Sequence, residues 1–324
     1  MVAVDVDDGA PRTVLIDCDP GHDDAIALLL ALARPEWHVE TVSIVAGNTT
    51  LPNAVRAATQ VLTVADRTDV PVHAGMDRPL ERALRTAAHV HGESGLEGPV
   101  LPEPAFGPRP EHAVDLLVAR LGRARDEGRP VEVAATGPLT NLGAALRRDP
   151  TIARGISRLV VMGGAITEGN VTPAAEFNIW VDPEAAAEVF DADVDVTMVG
   201  LDVTHRAILP TARFEELRDL GTPVGTLAAE LCDFFLRFHA RTYGFDGVPI
   251  HDACAVAALL DPTLVETRHL RVDVETASRH CDGRTVVDLW SVTGREPNVR
   301  VGVDVDRERF LDLLVSSLAS YPGR

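Results

Sequence analysis

Residues 13–24 read Thr-Val-Leu-Ile-Asp-Cys-Asp-Pro-Gly-His-Asp-Asp. An apolar run from Thr13 to Ile16 passes into an Asp-x-Asp pair, a Pro-Gly turn and a second pair of aspartates opening an apolar stretch from Asp24 to Ala33. That order predicts a strand, a tight turn and a helix. Side chains alternate along a strand, so Asp17 and Asp19 share a face and Cys18 points the other way. The carboxyl ends of strands in open α/β sheets are where ligands bind. Asp23 and Asp24 fall at the start of the helix, where the positive end of its dipole favours carboxylates. Four carboxylates this close repel one another, and a hard divalent cation with oxygen ligands removes that cost. Helix capping by one aspartate, with the others solvated, is the plain alternative, and it accounts for one Asp better than for four.

Outward from this segment the strand–helix alternation continues. Strands are expected at Val39–Ala46, Val70–His73, Val131–Ala135, Leu159–Met162, Val194–Val199 and Val299–Val305. Helices are expected at Asn53–Ala65, Thr226–Arg241, from His251 onward and at Arg307–Ser320. The pattern is that of one α/β domain with a mostly parallel sheet flanked by helices. It spans residues 12–324, after a loose acidic tail at residues 1–11. Between Ala83 and Arg109 the chain turns rich in Gly, Pro and His and reads as a long loop, a common place for function.

Composition removes several function classes. The 324 residues are 46% hydrophobic, enough for a large core, and carry a net charge of −19. Polyanions meet net repulsion, so neither nucleic acid nor an anionic membrane is an expected partner. Every one of the 30 basic residues is Arg, which rules out chemistry that needs a lysine amine. Cys18, Cys232, Cys254 and Cys281 form no Cys-x-x-Cys pair, and Met1–Pro11 lacks a basic-then-apolar signal, so a cytoplasmic enzyme is expected. Two other readings of the acidic segment fit less well. An EF-hand loop beginning at Asp17 would need a Glu at its twelfth position, which is Leu28. An aspartate-based phosphatase would call for a later lysine that the chain does not have.

Further polar runs follow: Gly47-Asn48, His91-Gly-Glu-Ser-Gly95, Thr136-Gly-Pro-Leu-Thr-Asn141, Met162-Gly-Gly164, Glu168-Gly-Asn170, Ala175-Glu-Phe-Asn178 and His251-Asp-Ala253. Taken with Asp-x-Asp-Pro-Gly-x-Asp-Asp-Ala they resemble, in order and over nearly the whole chain, the inosine–uridine nucleoside hydrolase family. The resemblance implies a Rossmann-like mixed sheet, one tightly held Ca²⁺, a homo-oligomer (tetramer or dimer) and hydrolysis of the N-glycosidic bond of a ribonucleoside. It implies Asp19, Asp24, Asp252 and the Thr136 carbonyl as Ca²⁺ ligands. Asp23, Asn48, Asn170, Glu176 and Asn178 would hold the ribose, with Met162 packing nearby. Asp19 would also be the general base, and Asp17 a support behind it. His251 and His91 would stand beside the leaving base and Tyr243 would cover it; His22, His73 and His112 read as structural. Two histidines in the base pocket resemble members that take pyrimidine nucleosides, alone or alongside inosine. A non-catalytic nucleoside- or ribose-binding protein on the same scaffold is the opposing reading.

Overall fold

The computed structural model describes residues 10–323. Of the acidic tail, residues 1–9 lie outside the described residues. The described residues form twelve strands: β1 Arg12–Cys18, β2 Trp37–Ile44, β3 Val72–Ala74, β4 Val131–Ala135, β5 Ile156–Met162, β6 Val196–Val199, β7 Ile208–Pro210, β8 Gly247–Pro249, β9 Val265–Leu270, β10 Val272–Val274, β11 Thr285–Val287 and β12 Val299–Val305. Eight of them form one sheet in the order β3-β2-β1-β4-β5-β6-β12-β9. Every pairing in it is parallel except β12 with β9. The order reverses between β1 and β4. Helices leaving these two strands diverge to opposite sides, and the crevice they leave is the ligand site of open α/β sheets.

The central strands are buried on both faces. Leu15, Ile16, Val133, Ala134, Val160 and Val161 have almost no exposed surface, which is why these strands read as unbroken apolar runs. Two apolar layers result, one on each side of the sheet. Helix His22–Ala33 is buried throughout except for its last residue. It packs between the sheet and helices His251–Leu260 and Pro223–Tyr243, which explains a sequence that is hydrophobic all round instead of along one stripe. Packing therefore fixes the position of the aspartates at its first turn.

The elements that were expected are observed with shifted ends, but helices Ala113–Asp126, Pro183–Phe190 and Thr211–Asp219 were not anticipated. The stretch Ala83–Arg109 is irregular but for one helical turn at Ala88–His91. The sequence reading passed over β9, whose apolar pattern is interrupted by Glu266, Arg268 and His269 at the sheet edge. It also passed over the two small antiparallel pairs, β7 with β8 and β10 with β11. No described helix is long and apolar enough to cross a membrane.

Leu29, fully buried in helix His22–Ala33, tests this packing. Leu29→Ala should lower unfolding stability by about 3 kcal/mol, measured by urea denaturation. A loss under about 1 kcal/mol would mean that the helix is less tightly held than its burial implies.

Candidate active site

Asp17 and Asp19 leave the end of β1 and turn under the first turn of helix His22–Ala33. Asp17 Oδ1 accepts from Ser43 Oγ at 2.5 Å and from Asn141 Nδ2 at 2.8 Å, while its Oδ2 has no donor. Burial lifts its pKa to about 6, against the lowering effect of those two bonds. Asp19 Oδ2 accepts from the Asn48 backbone N–H at 2.5 Å, and its buried Oδ1 has no donor. Two glycines make this seat. A Cβ at Gly47 would lie 2.1 Å from Asp19 Oδ2 and one at Gly137 would lie 2.6 Å from Asp19 Oδ1. The Gly-Asn and Thr-Gly-Pro-Leu-Thr-Asn runs are thus explained by close approach to one carboxylate.

Asp24 is the best-supplied of the group. Its Oδ2 accepts from Gly21 N–H at 3.0 Å and Asn48 Nδ2 at 3.1 Å, and its Oδ1 accepts from Thr136 Oγ1 at 2.9 Å. Asp252 arrives from the first turn of helix His251–Leu260. Asp23, Asp24 and Asp252 each offer an oxygen within 4.8 Å of the others, all three side chains being buried. Asp19 stands beside this trio and is not one of the three. Burial first, then the neighbouring carboxylates, pushes the pKa of Asp19, Asp23 and Asp252 up; burial alone does so for Asp24. Such a cluster is held together only by protonation or by a cation. All the donor atoms are oxygens, the set a hard divalent cation takes.

Above the carboxylates opens a cleft. Asp23, Asn48, Thr136, Met162, Asn170, Glu176, Asn178, Asp252, His91, His251 and Tyr243 all line it. Asp19 and Asp24 do not; they lie behind its floor. The amide of Asn178 donates to the carbonyls of Thr136 at 2.7 Å and Met162 at 3.1 Å. Glu176 caps helix Phe177–Val181, accepting from Asn178 N–H at 2.9 Å, Ile179 N–H at 3.2 Å and Gly164 N–H at 2.9 Å. Burial outweighs these bonds and holds its pKa at about 7. Asn170 Oδ1 accepts from Phe177 N–H at 2.9 Å, which leaves its amide N–H groups for the cleft.

Both expected histidines reach the cleft, each backed by a second residue. His251 Nδ1 is 2.7 Å from Thr204 Oγ1. His91 Nδ1 accepts from the His22 backbone N–H at 3.2 Å and lies 3.1 Å from His22 Nδ1. His22 Nε2–H donates in turn to the Glu97 carbonyl at 2.8 Å, and burial lowers the His22 pKa to about 4. Burial, reinforced by neighbouring histidines, lowers His91 and His251 as well. The structural reading of His22, His73 and His112 agrees with their bonds: His73 Nδ1–H donates to the Glu111 carbonyl at 3.0 Å, and His112 caps helix Ala113–Asp126.

Phe235, Phe238, His239 and His205 also line the cleft and were not singled out in the sequence. The first three recur at helical spacing on Pro223–Tyr243 and face the same way as Tyr243 four residues on. His239 and Tyr243 stack at 5.8 Å between centroids, and Tyr243 stacks on Phe245 at 5.3 Å. The cleft has an acidic, amide-rich floor and an aromatic, histidine-rich upper wall. No arginine lines it among the described residues.

Residues 14–312 match the family model described as inosine-uridine preferring nucleoside hydrolase. This chain belongs to that family. A pyrimidine-specific ribonucleoside hydrolase, RihA, of Enterobacter sp. (strain 638) is 50% identical over 312 residues, 96% of this chain and 99% of that protein. RihA of Escherichia coli O9:H4 (strain HS) is 50% identical over 309 residues, 95% and 98% of the two chains. Among solved structures, a purine-preferring ribonucleoside hydrolase from Gardnerella vaginalis superposes with a TM-score of 0.89 at 30% identity, covering 96% of this chain and 99% of that one. A plant nucleoside hydrolase, PpNRh1, gives 0.88 at 34%, covering 95% and 99%. The chain is a ribonucleoside hydrolase, and its single α/β domain is the one the sequence led us to expect.

Gly47→Ala should expose the dependence of the site on close approach. The added carbon displaces the Asp19 carboxylate, so nucleoside turnover should fall by about 100-fold or more, while stability falls by only about 1–3 kcal/mol. Near-normal turnover of the folded variant would show that the Asp19 position is not critical.

Proposed function

We propose that this hydrolase cleaves the N-glycosidic bond of pyrimidine ribonucleosides, uridine and cytidine, with inosine a poorer substrate, and that it does so with Ca²⁺. The observation that carries the reading is the convergence of Asp23, Asp24 and Asp252 beneath a cleft walled by His91, His251 and aromatic rings. Fifty per cent identity to pyrimidine-specific relatives, against 30% to the purine-preferring one, supports the choice of base. The lack of arginine among the described residues that line the cleft speaks against phosphate and hence against an aspartate-based phosphatase. Membership of a hydrolase family and 50% identity to pyrimidine-specific hydrolases speak against a non-catalytic binding protein.

Asp24, Asp252, Asp19 and the carbonyl of Thr136 would hold the cation. The fit rests on the all-oxygen donor set, on the buried Asp19 Oδ1 that no hydrogen bond satisfies, and on mutual repulsion that a bound cation relieves. When bound, the cation supplies that charge and polarises the water and ribose hydroxyls that reach it. Asp23, Asn48, Asn170 and Asn178 present carboxylate and amide groups from the floor to the ribose hydroxyls, and Met162 gives the sugar an apolar contact. They orient the sugar, and the floor's negative charge stabilises the positive charge that develops on the ribosyl ring as the bond to the base stretches. Glu176 is committed first to three backbone N–H groups, so its part is to hold Asn178 and the Gly163-Gly164 turn in place as well as to meet the ribose. Asp19 accepts the proton of the attacking water. His251 and His91 stand at the base, and Tyr243 closes over it. Cytoplasmic residence and a dimer or tetramer belong to the same reading. The four free cysteines accord with the first, and the exposed Val286, Trp290 and Val292 offer apolar surface for the second.

Release of free ribose from uridine, cytidine, inosine and guanosine tests the substrate class. Uridine and cytidine should turn over fastest, chelation should abolish turnover, and added Ca²⁺ should restore it; full activity after exhaustive chelation would refute the metal. Asp19→Asn keeps shape and one carbonyl oxygen but cannot take a proton. It should bind nucleoside within a few-fold of the parent and lose about 10³-fold in single-turnover ribose release. Retained turnover in the metal-loaded variant would remove Asp19 from the base role.

A further inference from the structure

We infer that Thr204 fixes His251 as a hydrogen-bond donor to the departing base, so that the base leaves as an anion held by His251 Nε2–H and is not fully protonated by the ring. The inference rests on the hydrolytic reading of the site and assigns a residue that none of the sequence motifs pointed to.

Thr204 ends the short helix Leu201–Thr204 that follows β6, and its side chain is fully buried. Its backbone N–H is used by the Gly200 carbonyl at 3.0 Å. Its hydroxyl meets His251 Nδ1 at 2.7 Å, a contact between residues 47 apart in sequence, and has no other partner among the described residues. A neutral imidazole nitrogen either donates or accepts. Were Nδ1 the donor, the Thr204 oxygen would accept and its hydrogen would be left buried with nothing to bond, an arrangement folded proteins avoid. The same objection applies to an imidazolium, in which both nitrogens carry hydrogen. The arrangement without an orphan has Thr204 Oγ1–H donating to a bare Nδ1. Nε2 then carries the ring hydrogen. His251 lines the cleft and its Nε2 has no hydrogen-bond partner among the described residues, so the N–H is available to a ligand.

The proton balance follows from that tautomer. A neutral ring that gave up its Nε2 proton would become an imidazolate, or Thr204 would have to become an alkoxide; neither is accessible near neutral pH. The bond between the anomeric carbon and the pyrimidine N1 therefore breaks with its electron pair passing to the base, where the ring carbonyl spreads the charge. The water oxygen bonds to the anomeric carbon and its proton goes to Asp19. Nε2–H donates to the base anion, which collects its proton from solvent on release, while Asp19 returns one to solvent. Thr204 is a positioning residue here, and His251 is the group that touches substrate.

The test uses the full-length, Ca²⁺-loaded protein labelled with ¹⁵N in its histidine rings, the His251 signals being assigned by their loss in His251→Ala. Wild type should show a bare Nδ1 and a protonated Nε2. Thr204→Val, which keeps the shape and removes the hydroxyl, should shift Nδ1 toward the protonated form. It should also lower kcat for uridine by about tenfold at unchanged KM, the worth of one well-placed hydrogen bond. Hydrolysis of p-nitrophenyl riboside, whose leaving group needs no such help, should change by less than about twofold. Thr204→Ser should restore both the nitrogen signals and the uridine rate. A protonated Nδ1 in wild type would overturn the assignment, as would equal losses on both substrates with the His251 signals unaltered. Should Thr204→Val not fold, the wild-type nitrogen signals and the Thr204→Ser rates still decide. Inactivity of wild type on every nucleoside would instead sink the hydrolytic reading, and the nitrogen signals would report on Thr204 regardless.

Discussion

Like charges forced together out of water dominate this molecule. Asp17, Asp19, Asp23, Asp24 and Asp252 are all essentially buried, and most of their pKa values are raised by one another as well as by burial. No arginine among the described residues reaches them, although the chain has thirty and uses many in surface ion pairs. What supports the carboxylates is a ring of neutral donors: Ser43, Asn141, Asn48, Thr136 and the Gly21 N–H. Neutral donors hold a carboxylate in place without cancelling its charge. The cluster keeps its appetite for a cation, which arginine partners would have satisfied within the fold.

The rest of the architecture serves to bring that cluster together. Four aspartates come from the end of β1, the turn after it and the helix that follows, the fifth from a helix more than 220 residues later in the chain, and Thr136 from the end of the neighbouring strand β4. The sheet reverses order between β1 and β4, so these segments meet without any long loop having to be threaded between them. Buried strands and a helix enclosed on all sides give the floor its rigidity. The upper wall is built from one long helix and the loop around His91.

Much of the floor could be read from residue order because its donors sit in short, dense motifs, and a strand–turn–helix passage dictates where they point. Asp17, Asp19, Asp23 and Asp24 are of this kind. The upper wall was less legible. Phe235, Phe238 and His239 follow the period of an ordinary amphipathic helix, and nothing local says whether such a face meets the core or a cleft; tertiary packing decides it. Thr204 is further out of reach, since its only informative contact is with a residue on another element. At the sheet edge β9 escaped for a different reason, its charged residues breaking the alternation that marks a strand. Asp23 was read as a ribose contact, and its approach to Asp24 and Asp252, with oxygens of all three within 4.8 Å, comes from the meeting of two helices distant in sequence, which spacing along the chain does not display.

His22 joins the two halves of the site in a way that bears on how such enzymes diversify. Its ring lies between the floor, one residue from Asp23, and the upper wall, stacking on Phe234 at 4.8 Å and Phe235 at 5.6 Å between centroids while also touching His91. Residues that would shape the proposed base subsite are thereby packed against the first turn that carries the acidic floor. Mutations that enlarge the subsite for a bulkier base disturb this stack before they touch any substrate. Changes of base preference along this lineage should then arrive as correlated sets spanning the stack, with single substitutions in the upper wall being poor evolutionary steps.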